Sequence, residues 1–417
     1  MLLKFIPKEI SDDKKSNVKD LSRKRSLTFP IIIMLLLNLV KDGNRKGYEI
    51  TMNQFWSEAG RFNIELNSDK HPTKSTFSQA RGKVKAAIVK DIMMSVVNEF
   101  DRKYGSDYLW HNMRVFAIDG TKYTIPASES LIKKFGKQNC GADKFSHYPL
   151  ATVSVLFNVR SKIAYDLTIN KGSCNEREEL LMLCKSLTGN DLIIADRGYP
   201  SFKVFHYLIK KEINFLVRVT ESKTFKEIEN FVKQDLGDCE IELHDYKKKS
   251  EILKVRIIKA VLPNGEKRFF ITNLLDKKKY PYEELINLYY ERWEIEEHYK
   301  INKELFKVEN FHSKNENGIL QEIYAQLILS NLTHYIINDA EYNNKESDDM
   351  PCFKNAVCVV ERYLNEIVLC KDENTILILY EKMLKEIRSI RYKKIKNRKF
   401  KRISFKTISK WSIKKNP

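Results

Sequence analysis

The sequence lacks an apolar run long enough to cross a membrane as a helix. A membrane-spanning helix needs roughly 20 apolar residues. The main apolar run, 29–40, has only twelve residues and contains Pro30 and Asn38. The run also starts too far into the chain for a cleavable signal, and no small-residue cleavage site follows it. We therefore expect a buried N-terminal helix in a cytoplasmic protein that has no membrane partner.

Paired cysteine motifs are also missing. The chain has seven cysteines, an odd number, and no two of them are spaced as Cys-x-x-Cys. This pattern argues against a zinc ribbon and against a disulfide framework, and it fits a reducing compartment.

Acidic residues are scarce relative to basic ones. The chain has 74 Lys and Arg against 55 Asp and Glu, a formal net charge of +19. Fourteen of the basic residues lie between Lys385 and the C-terminus, where Glu386 is the one acid. A basic excess of this size indicates a polyanionic partner, with nucleic acid as the first candidate. An anionic membrane surface and a merely soluble basic surface are the alternatives.

What is present is enough apolar material for a folded core. The 417 residues are 42% hydrophobic, which favours two or three packed units over a disordered chain. Residues 1–108 are predicted to be helical, because apolar residues recur at helical spacing in 27–40 and 84–100. Short helices here could lie on DNA, and a plain helical bundle with a solvated basic face is the alternative. The basic residues available for DNA contact are Arg81, Lys83 and Lys85.

From residue 114 the pattern changes to strands. Residues 151–159 and 163–169 are β-rich runs on either side of a turn, which predicts an antiparallel hairpin. Two short apolar runs, 114–118 and 192–195, each end in an aspartate. Strands with interleaved helices indicate a mixed α/β sheet.

The two aspartates, Asp119 and Asp196, occupy the same kind of position. Sites in open α/β sheets gather at strand ends, and a carboxylate held there supplies the oxygen ligands that Mg²⁺ prefers. A strand-end aspartate is also a common turn or cap residue. The pair is more informative, because each aspartate is followed by a glycine within two residues.

A third carboxylate belongs to a predicted helix that runs from about residue 282 to 306. The spacing of Tyr289, Arg292, Glu296 and Lys303 places all four on one helical face. That face offers a metal-ligating carboxylate and two cations that can hold phosphate. The plain alternative is a solvated helix in which Arg292 and Glu296 form an ordinary ion pair.

These residues carry a resemblance to a known family. The spacing Tyr-x-x-Arg-x-x-x-Glu-x6-Lys matches in full the signature of the insertion-sequence-four family of bacterial DDE transposases. Residues 117–121, 195–199 and 292–296 resemble the three catalytic blocks of that family, and 76–81 is similar to an N-terminal block common in the group. The resemblance runs from about residue 75 to 335.

The resemblance implies a fold. It implies a ribonuclease-H-like mixed-sheet α/β core with a β-rich insertion between the second aspartate and the glutamate. The 100 residues from Asp196 to Glu296 leave room for such an insertion. The parts expected on this basis are a helical DNA-binding region (1–108), the first part of the core (109–219), the β-rich insertion (220–278), the catalytic and closing helices (279–340), and a helical C-terminal region with a basic tail (341–417).

It also implies a reaction. Two Mg²⁺ ions, for which Mn²⁺ would substitute, are expected on Asp119, Asp196 and Glu296, with Asp119 bridging both ions. Hydrolysis would free a 3′-OH at the end of the insertion sequence, and that 3′-OH would attack target DNA. The implied partners are double-stranded DNA and, in the synaptic complex, a second copy of the chain. The implied location is the bacterial cytoplasm, in association with the nucleoid.

Several neighbouring residues receive roles in the proposed reaction. Arg292 and Lys303 are assigned to backbone phosphate, and Tyr289 is expected to stack or hydrogen-bond beside the scissile strand. Trp293 is expected to stack on a displaced base, with a core tryptophan as the alternative.

Other polar residues remain open. Glu294 and Glu297 are rival carboxylates. His147 and His298 are acid–base candidates or packing residues, and Asn175 is expected first to be a helix cap.

Two rival functions remain. One is a transposase-derived DNA-binding protein whose chemistry is lost, and the other is a metal-dependent nuclease that cuts without joining. A structural protein that binds polyanions would explain the charge but not the carboxylates.

Overall fold

The computed structural model describes residues 26–43, 46–62, 66–139, 145–221, 225–245, 251–342 and 349–393, with backbone alone for 138–139 and 145–147. The first part of the predicted N-terminal region and the basic residues after 393 lie outside these ranges.

The described N-terminal part is helical, as predicted. Its helices are α1 (Phe29–Leu39), α2 (Tyr48–Arg61), α3 (Lys74–Gly82) and α4 (Ala86–Tyr104). Helix α1 begins with a proline in its first turn, where the missing N–H costs no hydrogen bond. Most of its side chains are buried, which confirms the prediction of a buried helix. None of the described helices is both long enough and apolar enough to span a membrane.

The centre of the molecule is a mixed sheet. Its first strands are β1 (Arg114–Thr124), β2 (Lys137–Asn139), β3 (Phe145–Asn158), β4 (Ile163–Lys171), β5 (Asp191–Ala195) and β6 (Asn214–Val219). The order is β4-β3-β1-β5-β6. Strands β1, β5 and β6 are parallel to one another, and β3 is antiparallel to β1 and to β4. The predicted hairpin is confirmed as β3–β4.

The β-rich segment after β6 extends this sheet. Strands β7 (Asp238–His244), β8 (Ile252–Val261) and β9 (Lys267–Thr272) continue the order as β6-β9-β8-β7, and the helix α8 (Lys226–Lys233) precedes them. Gly265 closes the β8–β9 hairpin with φ +82°, a conformation that glycine adopts without strain. Within the described residues the sheet therefore has nine strands.

Helices cover both faces of the sheet. Successive strand residues point to opposite faces, and every residue of β5 is buried. The remaining helices are α5 (Glu129–Phe135), α6 (Glu176–Leu183), α7 (Phe202–Lys210), α9 (Tyr282–Tyr290), α10 (Trp293–Glu304), α11 (Glu316–Glu341), α12 (Phe353–Leu369) and α13 (Glu373–Ser389). Short 3₁₀ turns (Lys41–Gly43, Gly105–Tyr108, Cys184–Ser186) and a small ladder of β10 (Asp349–Pro351) with β11 (Arg391–Lys393) complete the described elements. The mixed α/β sheet and the β-rich segment between Asp196 and Glu296 agree with the fold that the resemblance implies.

The predicted single helix over 282–306 is wrong in one respect. The chain forms two helices, α9 and α10, joined by a tight turn at Glu291 and Arg292. The N–H of Arg292 bonds to the carbonyl of Tyr289 at 3.1 Å, and the N–H of Ile295 bonds to the carbonyl of Arg292 at 3.2 Å. These i→i−3 bonds are the 3₁₀ pattern, which keeps residues three apart on the same side. Tyr289 and Arg292 therefore still share a face.

The expected DNA contact by Arg81 is also wrong. Its side chain is buried, and its guanidinium donates to Glu322 at 3.0 Å, to Gln321 at 3.0 Å and to the carbonyl of Gly318 at 2.9 Å. A further bond goes to the hydroxyl of Tyr48 at 2.9 Å. Arg81 thus ties α3 and α2 to α11, which packs in turn against α4 and β4.

Arg81→Ala should destabilise the fold by about 3–5 kcal/mol, because it leaves the fully buried Glu322 carboxylate without its ion-pair partner. The free energy of unfolding, measured by urea denaturation, reports this effect. Lys74→Ala removes the same charge from an exposed position of the same helix and should change stability by less than about 0.5 kcal/mol. Equal stability of the two variants would contradict the structural role of Arg81.

Candidate active site

Asp119 lies inside a strand rather than at its end. Strand β1 continues to Thr124 because it pairs with the long strand β3, opposite Val155 at this position. Its parallel pairing with β5 stops earlier, at Ala117 and Ile194. Asp119 therefore lies just beyond the β1–β5 ladder, where its carboxylate reaches solvent while its backbone is held from the other side. The prediction that Asp119 ends its strand is therefore corrected: β1 continues past Asp119, and only its pairing with β5 ends nearby.

Asp196 lies where the sequence predicts. It directly follows the buried strand β5, and its side chain is 36% exposed. Because β1 and β5 are parallel, both aspartates lie at the same end of the sheet. The hydroxyl of Tyr289 donates a hydrogen bond to Asp196 Oδ1 at 3.2 Å, and Arg218 Nη1 lies 4.0 Å from the same oxygen.

Glu296 is brought to the aspartates through Arg292. Arg292 Nη2 donates to Glu296 Oε1 at 2.8 Å, and its Nη1 lies 3.9 Å from Asp119 Oδ2. The side chain of Arg292 is only 7% exposed, so its charge acts in a partly desolvated site. The two aspartates, Glu296, Tyr289 and Arg292 thus form one connected group.

Lys303, the last residue of the spaced set, lies apart from the carboxylates. Its Nζ donates to the carbonyl of Lys122 at 2.8 Å and lies 5.5 Å from the ring centroid of Tyr123. It therefore places a positive charge beside the far end of β1.

Trp293 is exposed. Its side chain is 54% exposed, and the guanidinium of Arg292 lies 5.4 Å from the ring centroid. The alternative of a core tryptophan is wrong.

The rival carboxylates and one histidine have partners elsewhere. Glu294 pairs with Lys162 at 3.1 Å, and Glu297 pairs with Lys300 at 3.3 Å. His298 is buried and bonded to Asn302 at 3.0 Å, and burial lowers its pKa to about 4, so the packing alternative holds.

The two remaining candidates are Asn175 and His147. Asn175 caps α6 by accepting the N–H of Arg177 at 3.1 Å, as expected. The side chain of His147 lies outside the described residues.

Tyr299, which the sequence pattern was not used to identify, holds β1 at Asp119. The hydroxyl of Tyr299 donates to the carbonyl of Asp119 at 2.6 Å and accepts the N–H of Val155 at 3.1 Å. Tyr299 follows Glu296 by three residues and precedes Lys303 by four, so the same helical spacing could have found it. Arg218, the other missed neighbour, lies on β6 and carries no such signal.

The carboxylates repel one another. Burial, together with the negative charges of Glu296 and Glu176, raises the pKa of Asp119 to about 6. The N–H of Gly120, which bonds to Asp119 Oδ1 at 2.9 Å, and the charge of Arg292 lower it in part. A bound cation would relieve this repulsion.

The donor set fits a hard divalent cation. Asp119, Asp196 and Glu296 offer carboxylate oxygens that are each about one-third exposed. Among the residues that the structure describes, no three acidic, histidine or cysteine side chains are grouped closely enough to form a metal site by themselves. The guanidinium of Arg292 contacts Glu296 and lies near Asp119.

Comparison with known proteins gives consistent matches. The family described as "Transposase DDE domain" matches residues 110–332. The transposase InsG of insertion sequence element IS4 from Escherichia coli K12 is 23% identical over 254 residues, 56% of this chain and 57% of InsG. The putative transposase InsZ of the same organism is 28% identical over 141 residues, 34% of this chain and 47% of InsZ. The chain spans about half the length of the curated relatives it matches.

A solved structure shows a more distant likeness. It is the synaptic complex of the piggyBac transposase with hairpin DNA, with a TM-score of 0.44 and 9% identity over 87% of this chain and 79% of that chain.

Asp119→Asn should stabilise the metal-free protein at neutral pH. Because the folded state raises the pKa of this carboxyl, its charge costs stability progressively as the pH rises from about 4 to about 6, and in full above that. The gain of the variant over the unmodified protein should grow to the order of 1 kcal/mol between pH 5 and pH 7. Chemical denaturation in chelator at several pH values measures it. Asp69→Asn, at an exposed loop position, is the control, and a pH-independent difference would refute the repulsion.

Proposed function

This chain belongs to the family of the transposase DDE domain, and on that premise we propose that it cuts DNA at the ends of an insertion sequence and joins the freed 3′-OH to target DNA. Asp119, Asp196 and Glu296 are the proposed catalytic carboxylates. The observation that carries the proposal is their convergence, through Tyr289 and Arg292, at one end of the parallel strands.

The proposed cofactor is a pair of Mg²⁺ ions, for which Mn²⁺ substitutes. Asp119 would contribute to both ions, with Asp196 and Glu296 each contributing mainly to one. When bound, such ions lower the pKa of an attacking water and stabilise the leaving 3′ oxygen.

The protein's own residues orient these carboxylates and the DNA. The ring of Tyr289 is buried against Phe270, at 4.7 Å between ring centroids, so the ring is not available to stack on a base. The role of Tyr289 is instead to position Asp196 through its hydroxyl. Tyr299 holds the backbone of Asp119 from the opposite side.

The cations beside the carboxylates are assigned to DNA. Arg292 neutralises Glu296 in the free protein and is proposed to turn toward a backbone phosphate when DNA is bound. Lys303 is proposed to hold a phosphate further along β1. Trp293 is the proposed stacking surface for a displaced base, because its ring is exposed beside Arg292.

The proposed partners are double-stranded DNA, at the element ends and at the target, and a second copy of the chain in the synaptic complex. The net charge of +19 supports a polyanionic partner. The proposed location is the bacterial cytoplasm, in association with the nucleoid, and the five-part organisation with a DNA-binding N-terminal region remains part of this proposal.

Glu296→Gln should abolish cleavage and strand transfer while leaving DNA binding intact, since it removes the charge and keeps the size. The substrate is a labelled plasmid that carries the coding sequence with its flanking DNA, incubated with Mg²⁺. Loss should be roughly 100-fold or more in rate. Glu297→Gln, the next residue on the same helix and paired with Lys300, is the matched control and should keep full activity.

The outcomes separate the rival functions. Cut ends without joined products would favour the metal-dependent nuclease. DNA binding without cutting by the unmodified protein would favour a catalytically inactive DNA-binding protein. Full activity of Glu296→Gln would remove Glu296 from the proposed set.

Trp293→Ala should weaken binding of cleavage-site DNA about tenfold, because base–aromatic stacking contributes roughly 1–3 kcal/mol. Fluorescence of 2-aminopurine at the cleavage site reports the displaced base directly. Tyr392→Ala removes an equally exposed aromatic ring from β11 and should change neither signal. An unchanged 2-aminopurine signal in Trp293→Ala would exclude base stacking at this position.

A further inference from the structure

A fourth carboxylate, that of Glu176, lies between the backbone segments that follow the two aspartates. A methyl group built on Gly120 would lie 3.6 Å from Glu176 Oε1, and one built on Gly198 would lie 3.4 Å from Oε2. Gly120 directly follows Asp119, and Gly198 follows Asp196 by two residues. The carboxylate of Glu176 is therefore in contact distance of both segments at once.

The start of α6 is tied to this place. Asn175 caps the helix, and Arg177 Nε donates to the carbonyl of Gly198 at 3.2 Å. Glu176 is the first residue of the helix, where the helix dipole favours a negative charge.

Glu176 differs from the other acids of its helix. Glu178 pairs with Lys203 at 2.6 Å, and Glu179 accepts a hydrogen bond from Asn170 at 2.8 Å. Over the described part of the chain, the carboxylate of Glu176 has neither a hydrogen bond nor an ion pair, and its electrostatic neighbours include Asp119. Glu176 thus lies near Asp119 without an ion-pair partner of its own among the described residues.

Two buried hydroxyls flank the same place and lack partners. Ser154, which pairs with Gly120 across the β1–β3 ladder, is fully buried, and its Oγ lies 3.3 Å from the methyl position at Gly120. Tyr199 is 2% exposed, and burial together with the charges of Asp119 and Glu176 raises its pKa. Within the described residues neither hydroxyl has a hydrogen-bond partner.

Such orphaned groups are informative. A buried polar group without a partner costs about 1–3 kcal/mol, and folded proteins leave few of them unless a water or an ion takes part. The oxygens of Ser154 and Glu176 both line the space beside Gly120.

We propose that Glu176 is a fourth carboxylate that contributes to the divalent-cation site at Asp119 through the water surrounding the bound cation, and that the hydroxyls of Ser154 and Tyr199 hold the same water. This inference rests on the proposed function, because it extends the same site.

The test measures Mn²⁺ binding to the full chain without DNA, by electron paramagnetic resonance of free Mn²⁺ and by calorimetry. Glu176→Gln should weaken Mn²⁺ binding at least about tenfold. Glu178→Gln, two residues along the same turn and outside the site, is the matched control and should bind as the unmodified protein does. Asp119→Asn should also lose binding.

Circular dichroism checks that each variant is folded. If Glu176→Gln does not fold, Glu176→Asp keeps the charge but shortens the side chain, and it should weaken Mn²⁺ binding as well. Binding by the folded Glu176 variants equal to that of Glu178→Gln, with Asp119→Asn impaired, would overturn the role of Glu176 alone. Unchanged binding in Asp119→Asn would instead overturn the proposed cation site.

Discussion

The fold brings the carboxylates of Asp119, Asp196 and Glu296 together, and their negative charges must be neutralised. Within the site, the positive charge of Arg292 is the main one that does so. Its guanidinium, which is only 7% exposed, contacts Glu296 and lies near Asp119. The charge of Arg292 offsets part of the repulsion that Glu296 and Glu176 exert on Asp119. The arrangement of α10 follows from this constraint, because the helix must present Glu296 and Arg292 to the same point.

The break between α9 and α10 also affects how Arg292 is placed relative to the carboxylates. In one continuous helix, Arg292 and Glu296 would lie one turn apart along a straight stripe. The 3₁₀ turn at Arg292 tightens the chain there, and outward ion pairs of Glu291 with Arg160 and of Glu294 with Lys162 hold it to the β3–β4 turn. The site therefore depends on contacts made well outside it.

Support for the core comes from the N-terminal helices. Arg81 belongs to the segment 76–81, which is similar to an N-terminal block common in the family, and its charge suggests a contact with DNA. Its burial against Glu322 shows instead that a basic residue on a helix can serve as an internal ion-pair partner. The distinction matters because a buried charge depends strongly on its partner, whereas a solvated charge does not.

Spacing in the sequence was sufficient to find the strand that carries Asp119, the strand that precedes Asp196, the β3–β4 hairpin, the buried helix α1 and the face shared by Tyr289, Arg292 and Glu296. These features follow from local periodicity, which the chain carries in its own residues. Tertiary structure alone decided the rest. Glu176 and Ser154 meet beside Gly120 only because α6 and β3 pack against each other, and Arg81 is buried only because α11 covers it. Contacts between residues far apart in sequence depend on how elements pack, and no periodicity within one element records that.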